Sequence, residues 1–319
     1  MQSPLIHIGL HKTGSTWMQD SIFYEGSRYF YPLVSKEKFG FDFSRCFLIG
    51  GKGQLLSSFD LNEEEIRREL KIIEEDYYLT GKGKIPVLSH ERLSGNPHSS
   101  CFDASVIASR LHCVFSSSKI FICIRKQSDI IFSTYYQYLK AGGTMKLSRY
   151  LKFTYDGKRP FFSINSFEYF LMVKRYYELF GMKNVLVLPY ELFVESPQLF
   201  LAELQNFAGF FSMEEVDSSE IKNRSSNYFL RSFFRWANLF RVKTSLNNYS
   251  VCGNRIGFFF LTTLFETIIS RSNLSYLDNY IENKNRKLIV EFVGNRFVND
   301  NKKLGELIGI DLGKYGYYK

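Results

Sequence analysis

The sequence predicts an α/β protein, with a central parallel sheet flanked by helices in three layers and a mainly helical C-terminal region. Three observations predict it. Short apolar runs rich in β-branched and aromatic residues alternate with longer stretches of helical period, the pattern of parallel strands joined by crossover helices. The first run passes through a glycine-containing turn into a helix start. Beyond about Ser212 strand signals fade while helical patterns continue. At 319 residues and 45% hydrophobic, the chain is long enough to bury a large core. It reads as a single domain over 1–319, with an α/β core at 1–211 and a helical part at 212–319 that contributes to the substrate cleft.

Taken in order, Leu5 to Ile8 is the first strand, and a helix begins near Ser15 with Trp17 and Met18 opening its buried face. Leu61 to Tyr78 places Ile66, Leu70, Ile73 and Tyr77 at a three-to-four residue period, an amphipathic surface helix. Strands follow at Ile85 to Ser89 and at Lys119 to Ile124, the latter leading into a helix that carries Ser133. Asn165 to Gly181 opens on a capping residue and closes on glycine, so it is a helix feeding the strand Asn184 to Pro189. Pro197 suits the first turn of the next helix. The segments "NYFLRSFFRWANLFRV" and "LDNYIENKNRKLIVEFVGNRFVNDNKKLGEL" are helical, "IGGKG" and "TGKGK" are loops, and no internal repeat is present.

The 41 basic and 32 acidic side chains give a net charge of +9, which favours an anionic partner: a phosphorylated nucleotide, an acidic glycan, nucleic acid or a membrane surface. Cys46, Cys101, Cys113, Cys123 and Cys252 are scattered and form no C-x-x-C pair, so neither a disulfide framework nor a zinc site is expected, and a reducing compartment fits. The N-terminal residues lack the basic start and long apolar run of a signal peptide. Ile256 to Phe265, "IGFFFLTTLF", is too short to span a bilayer. A cytoplasmic protein is expected, with peripheral association at the inner face of the membrane left open.

The stretch "LIHIGLHKTGSTWMQ" carries Gly9, four residues, Gly14, then Ser15 and Thr16. A triphosphate-binding loop of this length has lysine directly after the second glycine. Here Ser15 fills that position and Lys12 stands three residues earlier. The start of a helix presents free backbone N–H groups, the two glycines allow close approach, and Thr13, Ser15 and Thr16 add hydroxyls, so an anion is the expected ligand. No apolar strand ends in the aspartate that would hold magnesium, since "KIFICI" runs into Arg125. A P-loop kinase or nucleotide hydrolase is therefore the weaker reading.

"HKTGST" with its strand resembles the 5′-phosphosulfate loop of sulfotransferases that use 3′-phosphoadenosine 5′-phosphosulfate (PAPS). The resemblance implies a P-loop NTPase-like fold, in which Lys12, Thr13, Gly14, Ser15 and Thr16 bind the 5′-phosphosulfate and Lys12 stands near the bridging oxygen, where charge grows as the bond to sulfur breaks. In "IFICIRKQSDIIFSTYYQYLK", Arg125 at the strand end and Ser133 eight residues later match the family's 3′-phosphate contacts. A guanidinium suits phosphate because its planar fork donates two parallel hydrogen bonds. "LVLPYELFVESP" is similar to another family stretch, with Tyr190 and Glu191 in a supporting role. "NRFVNDNKKLGELIGIDLGKYGYY" resembles the ending of bacterial-type members, and "NRSSN" a loop of theirs that implies nucleotide contacts from Arg224 and Ser225.

Sulfonyl transfer needs a base for the acceptor hydroxyl, and "PVLSHERLSG" offers His90 and Glu91 at the end of the neighbouring strand. The Ser-x-Glu register of bacterial members favours Glu91, with His90 as the second candidate. If the chain stays extended, alternation lets only one of them face the cleft. His7 reads as a core residue and His11 as structural. The resemblance implies PAPS as donor, adenosine 3′,5′-bisphosphate (PAP) as product, no metal, and a hydroxyl acceptor on a carbohydrate: an oligosaccharide, polysaccharide or glycolipid. Nucleic acid is not expected as a partner. The third reading is a non-catalytic nucleic-acid or membrane-surface binder. It rests on Lys222, Arg224, Arg231, Arg235 and Arg241 among aromatic residues.

Overall fold

The computed structural model describes residues 1–39, 42–48, 61–152, 161–209, 228–240 and 275–318. Five parallel strands form one sheet in the order β2-β3-β1-β4-β5: β1 is Leu5–Gly9, β2 Phe30–Pro32, β3 Ile85–His90, β4 Lys119–Ile124 and β5 Val185–Pro189. The helices are α1 (Ser15–Ser21), α2 (Lys36–Phe39), α3 (Glu63–Asp76), α4 (Ala104–Val114), α5 (Gln127–Lys140), α6 (Leu147–Leu151), α7 (Tyr169–Phe180), α8 (Tyr190–Glu195), α9 (Pro197–Ala208), α10 (Tyr228–Ala237), α11 (Ser275–Val293) and α12 (Val298–Ile308).

Helices on both faces explain why the central strands are apolar throughout: Leu5 to Ile8 and Ile120 to Ile124 are all buried. One face carries Leu5, Val87, Phe121, Cys123 and Leu188, packed with Trp17 and Met18 of α1, Phe193 of α8 and Phe200 and Leu204 of α9. Alternation turns Ile120, Ile122 and Ile124 to the other face. There α7 packs on β4 and β5, and α4 on α7. Ile8 pairs with both His90 and Ile122, so the carboxyl ends of the three central strands lie level. That edge is where an open α/β sheet forms its ligand crevice.

The chain divides into two compact units. The first, Met1–Lys126, Asn165–Ile221 and Phe297–Lys319, contains the sheet. The second, Gln127–Ile164 and Lys222–Arg296, contains α5, α6, α10 and α11. Within it Arg286 bonds Asp129 at 2.6 Å and Glu282 at 2.7 Å while its guanidinium lies 4.1 Å from the Phe132 ring centre. Asn238 Nδ2 donates to the Leu139 and Gly143 carbonyls, both at 2.8 Å. Tyr138, Tyr150 and Phe162 stack beside them. The expected boundary near residue 211 lies outside the described residues, as do "IGGKG", "IGFFFLTTLF", Lys222, Arg224, Ser225, Arg241 and Cys252.

The four expected strands are present to within a residue at each end, and the edge strand β2 is an addition. At three residues ending in Pro32 it lacks the length and alternation that mark a strand, and proline is tolerated there because β2 is at the sheet edge. The expected helix at 61–78 starts after the Asn62 cap, whose side chain accepts from Glu65 N at 3.1 Å, and gives way to a wider turn at Tyr77–Gly81. The helical stretch at 277–307 breaks at Gly294, where φ is 48°, into α11 and α12. No helix among the described residues is long and apolar enough to cross a membrane.

His7 is fully buried, with Nδ1 2.8 Å from Ser89 Oγ and its ring stacked on Phe121, and burial pushes its pKa down to about 3. The folded state therefore keeps it neutral while the unfolded chain takes up a proton below the ordinary value of 6.5. Stability rises with pH across this window, by about 1.4 kcal/mol per pH unit for one such group. Denaturant unfolding between pH 7 and pH 5 should show His7→Phe losing one proton's worth of slope relative to the parent. An unchanged slope would place the acid sensitivity elsewhere.

Candidate functional site

From β1 the chain turns through residues 10–14 into α1. Lys12 has φ 70° and Gly14 φ 80°, both left-handed, a conformation that costs a non-glycine residue about 1–2 kcal/mol. Internal bonds hold the turn. Thr13 Oγ1 donates to the Leu10 carbonyl at 2.7 Å and Ser15 Oγ lies 3.5 Å from the same oxygen, so two of the three expected hydroxyls face inward. Lys12 and Thr16 are the exposed members. Both glycines are required by close approach. A β-carbon at Gly9 would come within 2.5 Å of Ser15 Oγ, and one at Gly14 within 3.1 Å of the Tyr190 ring.

Arg125, just past β4, reaches back to this loop. Its Nη1 donates to the Lys12 carbonyl at 2.7 Å, and its guanidinium lies 4.8 Å from the Tyr190 ring centre. The turn that carries it is fastened on its far side. Tyr169 Oη donates to the Arg125 carbonyl at 2.8 Å, and the Lys126 N–H donates to Glu191 Oε1 at 2.9 Å. Tyr317 Oη donates to Glu191 Oε2 at 2.8 Å, and Asn301 Nδ2 in turn donates to the Tyr317 carbonyl at 3.0 Å. Burial raises the Glu191 pKa, and the hydrogen bonds from Lys126 N–H and Tyr317 oppose that shift.

Sequence reasoning missed Tyr169 and Tyr317, because neither lies near Arg125 or Glu191 in the chain. Glu191→Ala strands two buried donors and should cost about 2–4 kcal/mol in denaturant unfolding, against about 1 kcal/mol for Tyr317→Phe. Equal, negligible losses would mean that this chain of bonds holds nothing.

On the other side of β1, the strand β3 ends at His90 and the chain tightens at once into a 3₁₀ turn, Glu91–Ser94. Alternation therefore stops at His90 and does not decide between the two candidate bases. His90 Nδ1 accepts from the Arg92 N–H at 3.0 Å, capping the turn, and its Nε2 is 3.8 Å from Asp42 Oδ2. Glu91 is half-buried, with its Cα 3.4 Å from where a Gly9 β-carbon would be. Ser94 Oγ, 3.2 Å from the Gly9 carbonyl and 2.8 Å from that of Glu91, ties the turn to β1.

Burial, followed by His98, Arg92 and Lys12, pushes the His11 pKa down to about 3. Burial, Arg92 and Lys12 lower His98 to about 4. Both imidazoles are thus neutral beside Lys12 and Arg92, and the positive charge of this corner resides on the lysine and arginine.

The loop residues Lys12 to Thr16, Arg125, His90 and Glu91 therefore gather at the carboxyl edge of β1, β3 and β4. Ser133 is half-buried on α5 in the second unit, whereas Arg125 belongs to the first. Among the described residues no group of three or more His, Cys, Asp or Glu side chains is placed to hold a metal ion.

Residues 2–233 match the model of the family described as "Sulfotransferase domain". No curated protein is similar to the chain at a significant level. Among solved structures, a sulfotransferase from Alicyclobacillus acidocaldarius is 21% identical with a TM-score of 0.49, and the match covers 69% of this chain and 86% of that one. The sulfotransferase domain from the curacin biosynthetic pathway is 15% identical with a TM-score of 0.39, over 66% of this chain and 75% of its own.

Proposed function

This chain belongs to the sulfotransferase family, and from that membership we propose that it transfers a sulfonate group from PAPS to a hydroxyl of a carbohydrate, whether oligosaccharide, polysaccharide or glycolipid. The observation that carries the reading is the exposed Lys12 on a left-handed turn whose carbonyl is held by Arg125 at 2.7 Å. One element thereby supplies a cation for the reacting end of the donor and is linked to the guanidinium for its other end.

The residues fit this donor. The two glycines leave the loop backbone open to an anion, and the N–H groups at the start of α1 have no intrahelical partner. Thr16 offers its hydroxyl, whereas Thr13, Gly14 and Ser15 contribute through backbone N–H groups. Arg125 and Ser133 hold the 3′-phosphate, with Arg224 and Ser225 as further nucleotide contacts. The donor supplies an activated sulfonate. Lys12 stabilises the negative charge that develops on the leaving side.

Glu91 removes the proton of the acceptor hydroxyl, supported by its position beside Gly9. His90 is the second candidate, but its Nδ1 already serves as the cap of the turn. The protein works on the cytoplasmic side, where the donor is made available to a soluble enzyme or to one at the membrane surface.

Thermal unfolding in EDTA tests the reading. PAP should raise the melting temperature without metal, while ADP and an oligonucleotide should not. Stabilisation by ADP that requires magnesium would favour a kinase or hydrolase. A salt-sensitive response to oligonucleotide alone would favour a non-catalytic binder.

A further inference from the structure

The positive charge of the chain is divided unequally between its two units. The second holds 18 of the 41 basic and 6 of the 32 acidic side chains, a net charge of +12, which leaves the first at −3. One end of the second unit concentrates the cations. There α10 packs on α5, and the two bonds from the buried Asn238 to the Leu139 and Gly143 carbonyls fix the end of α10 against the turn between α5 and α6. Lys140, Lys146 and Arg149 are exposed on and beside that turn, and the half-buried Arg235 lies close enough to Tyr135 to act on its phenol. Neither 130–152 nor 228–240 contains an acidic residue.

Two large rings project from the same end. Trp236 is 58% exposed and Phe240 43% exposed, on either side in the chain of Asn238, which turns inward. Each forgoes the burial that a core position would supply. The Arg235 guanidinium covers one face of the indole, 4.9 Å from the centre of the Trp236 ring. A nucleobase or a sugar can therefore stack only on the other face, and Phe240 has no polar atom to offer either of them. A ring paired with a cation instead matches the boundary of a bilayer, where the indole sits at headgroup level and the guanidinium reaches lipid phosphate. Cations around the rings then add attraction to anionic headgroups.

We propose that this end of the second unit docks on a bilayer rich in anionic lipid. Trp236 and Phe240 enter the headgroup region, and Lys140, Lys146, Arg149 and Arg235 meet the anionic headgroups around them. The inference goes beyond the sulfotransferase reading and stands whatever group the first unit transfers.

The chain supplies its own probe. It has two tryptophans, and Trp17 is buried in the sheet core, so a change in emission on binding reports Trp236. The full-length protein is mixed with vesicles of phosphatidylcholine alone, and with vesicles of three parts phosphatidylcholine to one of phosphatidylserine, at about 0.1 M salt. Sedimentation should show binding to the second kind only, and the emission should move to shorter wavelength and be quenched by lipid brominated on its acyl chains. Trp236→Ala should weaken binding by about tenfold. The Lys146→Gln, Arg149→Gln double variant should weaken it by about twentyfold, or about fivefold for each cation removed. A melting temperature equal to that of the parent reports that a variant is folded, and the double variant, altered only at exposed positions, keeps the test should Trp236→Ala not fold. No binding to the anionic vesicles, equal binding to both kinds, or binding that leaves the emission unchanged would each overturn the proposal. Retention by heparin or an oligonucleotide without binding to vesicles would also overturn it, by assigning the surface to an anionic polymer. Failure of PAP to bind bears on the donor reading alone.

Discussion

Lys12→Ala will slow sulfonate transfer at saturating donor by about 10²–10³-fold, the loss expected when one preorganised group is removed from a developing oxyanion. Donor affinity should change much less, because in the proposed mechanism Lys12 would meet full negative charge on the leaving oxygen only as the bond to sulfur breaks. The backbone argues for a clean experiment. Lys12 already sits at φ 70°, alanine at that angle carries a similar strain, and the carbonyl that Arg125 grips is retained. Rapid-quench measurement of a single turnover with radiolabelled donor would separate the chemical step from product release. Transfer at the parental rate would dismiss the lysine from the mechanism.

Arg125→Ala should instead weaken PAP binding by about 2–3 kcal/mol, or about 30- to 150-fold, the scale of a hydrogen bond to a charged group. Adenosine 5′-phosphate, which lacks the 3′-phosphate, supplies the control. The parent should prefer PAP strongly, and the variant should keep only the small part of that preference that Ser133 supplies. Arg125→Lys should recover only part of the preference, since an ammonium cannot reproduce the planar fork or its place on the Tyr190 ring. A variant that kept the parental ratio while losing stability would reduce Arg125 to a tether for the Lys12 carbonyl.

Local chemistry was legible in the sequence where a few neighbouring residues decide it. The strand, the two glycines and the displaced lysine lie within Leu5 to Thr16, and the structure places them in one loop at the sheet edge. The burial of His7 followed from its place inside an apolar strand, and that of Trp17 and Met18 from the apolar opening of the helix after the loop. What could not be read depends on partners distant in the chain. The inward turn of the Thr13 and Ser15 hydroxyls is decided by a carbonyl that only the folded loop presents. The choice between His90 and Glu91 depends on where β3 stops, and a change from extended chain to 3₁₀ turn at one residue has no periodic signature. The abundant tyrosine was also ambiguous, since Tyr135, Tyr136, Tyr138 and Tyr150 are core residues of the second unit, so the composition says nothing of sugar rings.

Tyr317 and Glu191 are 126 positions apart, yet the pair closes on the backbone just past Arg125. During synthesis on the ribosome, all five strands emerge well before Tyr317 does. A nascent chain can therefore assemble its sheet while the segment bearing the guanidinium still lacks its final hydrogen bond. If Arg125 reads the nucleotide as proposed, that competence matures after the scaffold, and a fusion partner appended behind Tyr317 would sit closer to that step than the linear order of the gene implies.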